Sequence, residues 1–166
     1  MKKIKVQYVN EKNFKEFGQI IKTPAEGSRN PTHQSTGFKF YGELGLIDTK
    51  GKIFELGVCT FKKREMIATQ MEQHAKTQEL LYAIDGDFIM PIAPITQING
   101  AAHPDMDKVT AIKVRQGEGV IFNDGIWHWA PFPLKETSSV LVGFTKDTAL
   151  NDIVIKDLKE EFAIEE

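Results

Sequence analysis

Acidic and histidine side chains occur in two short stretches whose spacing could bring them into one site. The first stretch is Glu72-x-His74 followed by Glu79, and the second carries His128. Imidazole and carboxylate groups are ligands for divalent metals such as Zn, Mn, Fe or Ni, and they also transfer protons near neutral pH. The sequence therefore predicts a metal centre made of Glu72, His74, Glu79 and His128, or a metal-free acid–base site in which Glu72, His74 and His128 are catalytic.

The segments around Glu79 are predicted to be strands. Residues 78–84 and 87–93 favour strands and flank Asp85-Gly86, a pair typical of a two-residue hairpin turn. In that hairpin Glu79 shares a face with five apolar residues: Leu81, Ala83, Phe88, Met90 and Ile92. A buried carboxylate is unfavourable unless it is hydrogen-bonded, paired with a cation or bound to a metal. Glu79 therefore requires a partner.

The second stretch is predicted to hold His128 on a short strand. It begins with a Gly-marked turn at Gly117 and has an Asn-Asp-Gly turn at residues 123–125. Trp127 and Trp129 alternate with His128 and are predicted to pack on the opposite face, between sheets or subunits.

The rest of the chain favours strands. Asn10 is expected to cap one short helix over residues 11–17, and residues 23–36 and 94–107 are predicted to be loops. Cys59 is predicted to be a small core residue on a strand over residues 52–61, and residues 156–166 a helical turn or a frayed end. Some ten short strands and one helix predict an all-β antiparallel barrel or jelly roll in a single domain, residues 1–166.

Composition restricts the possible partners. Of the 166 residues 41% are hydrophobic and 27% charged, and the net charge is -2, so neither nucleic acid nor a membrane is expected as a partner. A single cysteine excludes an intramolecular disulfide, and the first residues lack the apolar core of a signal peptide. The expected location is the cytoplasm.

Both stretches resemble the paired motifs of the cupin superfamily. The first motif, H-x-H, three or four residues, E, six residues, G, corresponds to Glu72-x-His74, Glu79 and Gly86. The second motif is G, five residues, P-x-G, two residues, H, three residues, N. Its counterparts here are Gly117, Asn123-x-Gly125, His128 and Phe132. Glu72, Asn123 and Phe132 stand where the motifs have His, Pro and Asn. The resemblance implies a cupin-type double-stranded β-helix.

Residues 5–145 further resemble the ureidoglycolate lyase family of cupins. The similarity lies in Lys5-Val6, residues 13–21, the Glu72-x-His74 pair, the segment around Gly86 and the Ile126-Trp127-His128 segment. It implies cleavage of ureidoglycolate to glyoxylate and urea in ureide (purine) catabolism by a homodimer. Glu79 occupies a position where this family is expected to have Gln.

A small carboxylate substrate would also require a cation. Lys62 and Arg64 are the nearest cations in sequence to the Glu72-x-His74 pair and are predicted to bind substrate. Glu72 or His128 would act as base and the other as acid. Two alternatives to the lyase stay open: a metal-dependent cupin lyase or isomerase acting on another small hydroxy or sugar acid, which Glu79 favours, and a non-catalytic ligand-binding cupin.

Overall fold

A computed structural model describes residues 1–166 and consists mainly of short strands. The two helices are α1 (Glu11–Phe14) and α2 (Thr148–Asn151). The strands are β1 (Lys2–Tyr8), β2 (Gly18–Ile21), β3 (His33–Ser35), β4 (Phe38–Phe40), β5 (Phe54–Lys62), β6 (Ile67–Gln73), β7 (Glu79–Ala83), β8 (Phe88–Ala93), β9 (Ile95–Ile98), β10 (Ala101–Pro104), β11 (Thr110–Val114), β12 (Gly119–Phe122), β13 (Trp127–His128), β14 (Phe132–Pro133), β15 (Thr137–Thr145) and β16 (Val154–Glu165).

Most strands belong to two sheets. The five-stranded sheet has the order β2-β12-β7-β15-β5, and the seven-stranded sheet has the order β11-β1-β16-β6-β13-β8-β14. Strand β11 also pairs with β8, so six strands of the larger sheet close into a ring. The predicted all-β barrel with a short N-terminal helix is confirmed. Helix α2, before the last strand, was not predicted.

Two apolar cores hold these sheets together. The first contains side chains from both sheets, among them Leu81 and Val140 from the smaller sheet and Met90 and Ile112 from the larger one. The second comes mainly from the ring strands and includes the fully buried Trp127. Successive side chains of β8 point to opposite faces, so the strand contributes to both cores, with Met90 in the first core and Ile89 in the second.

The predicted hairpin at Asp85-Gly86 is wrong, because β7 and β8 belong to different sheets. Strand β7 lies between β12 and β15 and so has no free edge for β8, which pairs with β11, β13 and β14. Neither Asp85 nor Gly86 has the positive φ that a type I′ turn requires. The residues predicted to face inward are nevertheless buried, since the facing sides of the two sheets share one core.

The N-terminal helix begins after Asn10 as predicted but ends at Phe14, before the predicted end at Phe17. The Asn10 side chain accepts hydrogen bonds from the backbone N–H groups of Lys12 and Asn13, and the Asn13 side chain accepts one from the N–H of Asn10. Strand β2 follows at Gly18, where a Cβ would lie 1.8 Å from the Ile121 carbonyl oxygen. Only glycine allows this close pairing of β2 with β12.

Four other predictions are corrected. The 23–36 and 94–107 segments each contribute to a hairpin, β3–β4 and β9–β10. Residues 156–166 lie largely in β16, which pairs with β6 and β1 and is therefore neither helical nor frayed. Cys59 is exposed, because β5 lies at the edge of the smaller sheet.

Neither of the four-residue helices could cross a membrane.

Candidate active site

Four side chains meet where the two sheets face each other. His128 on β13 pairs with Glu72 on β6, and both strands belong to the larger sheet. His74 is the first residue after the end of β6. Glu79, the first residue of β7, reaches them from the smaller sheet. The Nε2 atom of His128 lies 3.1 Å from Glu79 Oε2 and 3.7 Å from Glu72 Oε1, and His74 Nε2 lies 3.7 Å from Glu79 Oε1.

Both imidazoles are oriented by hydrogen bonds on the side away from Glu79. His74 Nδ1 lies 2.7 Å from the Asp152 carbonyl oxygen and His128 Nδ1 lies 3.0 Å from that of Ile126. A carbonyl oxygen only accepts, so each Nδ1 carries a proton and each Nε2 is turned towards Glu79. Neutral imidazoles in this tautomer present an Nε2 lone pair, which is the usual arrangement of metal-binding histidines.

Aromatic rings fix the planes of the two imidazoles. The Phe122 ring is stacked on His128 with 5.1 Å between centroids and 6° between planes. Phe144 meets His74 edge-on at 5.9 Å. The rings therefore have little freedom to turn away from Glu79.

The donor set of this site fits a divalent metal. One ligand atom each from His74, Glu79 and His128 lies within 4.8 Å of the others, and all three residues are buried. Glu79 Oε2 is buried without a hydrogen-bond partner, since its approach to His128 Nε2 lacks hydrogen-bond geometry. A carboxylate oxygen left unpaired among imidazole nitrogens is what a cation would satisfy. Glu72 lies beside this group, with its side chain 22% exposed.

The two carboxylates have opposite pKa shifts. Burial alone would raise the pKa of Glu79, but the nearby imidazoles of His128 and His74, which carry positive charge when protonated, outweigh it and lower the pKa to about 2. Burial raises the pKa of Glu72, against the opposing charge of His128. Burial alone would lower the pKa of His74, but the nearby Glu79 carboxylate raises it to about 9, so a metal bound at Nε2 would displace a proton. Glu79 therefore stays anionic, whereas Glu72 is the more readily protonated carboxylate.

The structure gives the two predicted substrate-binding cations other surroundings. The Arg64 guanidinium donates to the carbonyl oxygens of Pro131 (2.9 Å) and Ala130 (2.7 Å) and lies 4.1 Å above the Phe132 ring. Lys62 is exposed at the end of β5, where it lies opposite Thr137 of β15. Neither makes a hydrogen bond or ion pair with the four site residues. Their role in substrate binding stays a prediction.

Asp152 is a site residue that sequence reasoning missed. Its carbonyl oxygen accepts from His74, and its buried carboxylate accepts hydrogen bonds from the backbone N–H groups of Ala75 and Lys76. It thereby holds the turn after β6 that carries His74. No local pattern indicates this role, because the contact joins residues 78 positions apart in sequence.

A family model described as ureidoglycolate lyase matches residues 1–165. The chain belongs to the ureidoglycolate lyase family. The predicted resemblance is thus confirmed over a longer stretch than the motifs covered. None of the curated proteins matches this family member.

Three solved structures are similar to this ureidoglycolate lyase family member. They are the formate complex of oxalate decarboxylase from Lactobacillus farciminis (13% identity, TM-score 0.44), procruciferin, an 11S globulin from Brassica napus (15%, 0.42), and oxalate decarboxylase from Bacillus subtilis at pH 4.6 (15%, 0.41). The matches cover 65%, 63% and 66% of this chain and 29%, 22% and 24% of those chains. The chain therefore spans less than a third of the length of these structures.

Proposed function

We propose that this protein is a carbon–nitrogen lyase that cleaves ureidoglycolate to glyoxylate and urea. The observation that carries the proposal is the ureidoglycolate lyase family model, which matches residues 1–165. The site supports it, because it brings together an anionic carboxylate, a more readily protonated carboxylate and two imidazoles.

The reaction needs one proton to move between two atoms of the substrate. Ureidoglycolate carries a hydroxyl group and a urea nitrogen on the same carbon. Removal of the hydroxyl proton lets the oxygen form the aldehyde C=O bond, and the electron pair of the breaking C–N bond goes to the urea nitrogen, which takes up a proton. No oxidant or second substrate is required.

We assign the proton transfer to Glu72. It is the partly exposed carboxylate of the site, and burial raises its pKa towards the range in which a carboxylate can both accept and donate a proton. Glu72 takes the hydroxyl proton and then delivers it to the departing nitrogen. Glu79, with its pKa lowered to about 2, stays ionised and holds the two imidazoles in place.

We further propose that His74, Glu79 and His128 hold one divalent metal ion, with Zn, Mn, Fe or Ni as candidates. Their buried Nε2 and carboxylate oxygen atoms form the closest group of potential ligands. When bound, such an ion would supply a Lewis acid for the hydroxyl and carboxylate oxygens of the substrate. Arg64 and Lys62 stay candidates for holding the substrate carboxylate, and the family resemblance implies a cytoplasmic homodimer.

A second candidate function is a metal-dependent lyase or isomerase acting on another small hydroxy or sugar acid. Glu79 favours it, because a carboxylate between two histidines suits a metal better than the Gln expected in the family. Ureidoglycolate would then be a poor substrate, and a different hydroxy acid would be converted at the same site.

Glyoxylate release from ureidoglycolate tests the first function. We expect activity in the parent protein and a loss of about 100-fold or more in kcat for Glu72→Gln, in line with the contribution of general acid–base groups. Glu65→Gln, which changes an exposed carboxylate in the segment before β6, is the matched control and should keep parental activity. No glyoxylate from metal-supplemented parent protein, or full activity in Glu72→Gln, would contradict the proposal.

A further inference from the structure

Strand β5 is an open edge of the smaller sheet. It pairs with β15 alone, and seven of its nine residues are exposed. Residues 56–61 carry no charge, and Leu56 and Val58 are 58% and 60% exposed. A long uncharged edge strand is a template for pairing with another strand, and proteins normally cover or interrupt such an edge.

The opposite edge of the same sheet is protected. At β2 the side chain of Gln19 makes two hydrogen bonds with the backbone of Leu46, donating to its carbonyl oxygen and accepting from its N–H. Gly45 packs closely against Ile21 and Ile121. The chain therefore covers one edge of the sheet with its own backbone and leaves the other open.

The free hydrogen-bonding groups of β5 belong to alternate residues. The N–H of Lys63 donates to the Glu136 carbonyl oxygen, and the N–H of Lys146 donates to that of Ile53, so the odd-numbered residues point their backbone groups at β15. The even-numbered residues point theirs at the open edge; these are Phe54, Leu56, Val58, Thr60 and Lys62.

We propose that β5 pairs antiparallel with β5 of a second copy of the chain, about a two-fold axis at Cys59. The pairing would join two five-stranded sheets into one continuous sheet. A two-fold contact uses the same surface on both copies, so the strand must be complementary to its own reverse. Residues directly opposite each other in a strand pair point their side chains to the same face of the sheet. The two-fold axis must therefore pass midway between two copies of the same residue, and not between two neighbouring positions of the sequence.

Charge and shape select Cys59 as that residue. With the axis at Cys59, Glu55 lies opposite Lys63 of the second copy, and the side chain of Phe61 lies over Gly57 of the second copy, which offers no side chain of its own. Val58 pairs with Thr60, and both belong to the set with free backbone groups. With the axis at Val58, Glu55 would instead face the apolar Phe61. Opposite charges facing each other stabilise a strand pair, and a carboxylate facing an aromatic ring does not.

This interface would lie beside the active site. Cys59 lies opposite Val140 of β15, which in turn lies opposite Ala83 of β7, so Cys59 shares a face of the smaller sheet with Glu79. Pairing of β5 is independent of the proposed lyase activity, because cross-linking and sedimentation measure it without turnover.

Cross-linking through Cys59, the single cysteine of the chain, tests the axis. Residues opposite each other without mutual hydrogen bonds have Cα atoms about 4.5 Å apart, a separation that a disulfide spans. Diamide at alkaline pH should link the dilute parent protein into a disulfide dimer and leave Cys59→Ser monomeric on non-reducing gels. The combination Cys59→Ser with Val58→Cys should link at least tenfold more slowly. No dimer in the parent, or faster linking through position 58, would overturn the proposal.

Sedimentation under reducing conditions tests the non-covalent pair. We expect a dimer for the parent protein and a monomer for Val58→Lys, which sets a second positive charge diagonally next to Lys62 of the other copy. Leu150→Lys, at an apolar residue that is 81% exposed and lies outside β5, is the matched control and should stay dimeric. Lys63→Glu should weaken the dimer, and adding Glu55→Lys should restore it. A monomeric parent, or a dimer unchanged by Val58→Lys and Lys63→Glu, would overturn the proposal.

Discussion

Glu72 and Glu79 both approach Nε2 of His128, at 3.7 Å and 3.1 Å, yet they differ in the chemistry they can perform. Glu79 is enclosed between two imidazoles, which lower its pKa to about 2. Glu72 is partly exposed, and burial raises its pKa. Two carboxylates with pKa values shifted in opposite directions divide the roles of permanent anion and proton carrier.

Replacing Glu79 by Gln tests its role as a ligand. The substitution keeps the shape of the side chain but removes the charge that faces His74 and His128. If the three residues hold a metal, the parent protein purified without chelator or affinity tag should contain near-stoichiometric metal, and Glu79→Gln should lose most of it. Inductively coupled plasma mass spectrometry measures the content.

Glu72→Gln is the matched control for this measurement and should retain metal, because Glu72 lies outside the closest group of ligand atoms. Equal metal content in the parent and Glu79→Gln would show that Glu79 is not required as a ligand. An absence of metal from both would leave acid–base chemistry by Glu72 and the two histidines as the mechanism to test.

For single residues, the sequence predicts which side chains share a site when they lie on one strand or close to it. The two-residue spacing of Glu72 and His74 and the single His128 sufficed to anticipate a convergence with Glu79, and the structure brings these four together. Asp152 was missed, because its bond to His74 depends on how the chain returns to the larger sheet after β15. Proximity in sequence to Glu72 and His74 favours Arg64 as a substrate-binding cation, whereas its contacts depend on where β14 lies.

Among the elements, two pairs ending in glycine show why turn prediction fails. Asn99-Gly100 joins β9 and β10 with φ of 52° and 78°, as a type I′ hairpin turn requires, although its surroundings were predicted to be a loop. Asp85-Gly86 lies between segments whose composition favours strands more clearly, yet it forms no hairpin. Both pairs consist of a turn-favouring Asn or Asp followed by Gly. The difference is whether the flanking strands have free edges for each other, which is decided by the whole sheet.

The connection from β7 to β8 is instead held by the side chain of Asp85. Its carboxylate accepts a hydrogen bond from the Ser139 N–H at 2.7 Å and lies 3.6 Å from Lys135 Nζ. The bond from Ser139, together with the charge of Lys135, lowers the pKa of Asp85. A carboxylate whose pKa is lower in the folded state stabilises that state above its unfolded pKa, and the contribution disappears as the pH falls through the folded pKa.

Asp85→Asn should therefore lower the melting temperature at neutral pH by a margin that closes in acid. The gap between parent and variant should shrink as the pH falls below about 4, the ordinary pKa of Asp. Circular dichroism melts across the pH range measure it, with Glu26→Gln, at an exposed carboxylate, as the control. A gap that is independent of pH would mean that the Asn substitution acts through shape rather than charge.

At the scale of the molecule, the closed ring depends on β16, a strand that the composition of its segment does not indicate. Strand β16 carries many charged residues, and its pairing with β6 shifts register between Asp157 and Phe162. That shift breaks the regular alternation from which strands are recognised, so the segment was predicted to be a helical turn or a frayed end. The general class, an all-β barrel, followed from the many short strands, whereas ring closure through β1, β16 and β11 depends on contacts between the two ends of the chain.

Trp127 offers a test of the core inside this ring. The side chain is fully buried, and its Nε1–H has no hydrogen-bond partner. Trp127→Ala should lower the free energy of unfolding by about 3–5 kcal/mol, as expected for truncating a large aromatic residue in a core. Trp127→Phe should have a much smaller effect, because it keeps most of the ring volume and removes a buried donor whose missing partner costs about 1–3 kcal/mol.

Urea unfolding of both variants measures these changes, and Trp129→Ala provides the matched control. Trp129 lies on the same face but is only partly buried, so its truncation should have a smaller effect than Trp127→Ala. A Trp127→Phe variant as unstable as Trp127→Ala would imply that Nε1–H has a partner, such as a buried water. The stability of the ring would then depend on a polar contact as well as on packing.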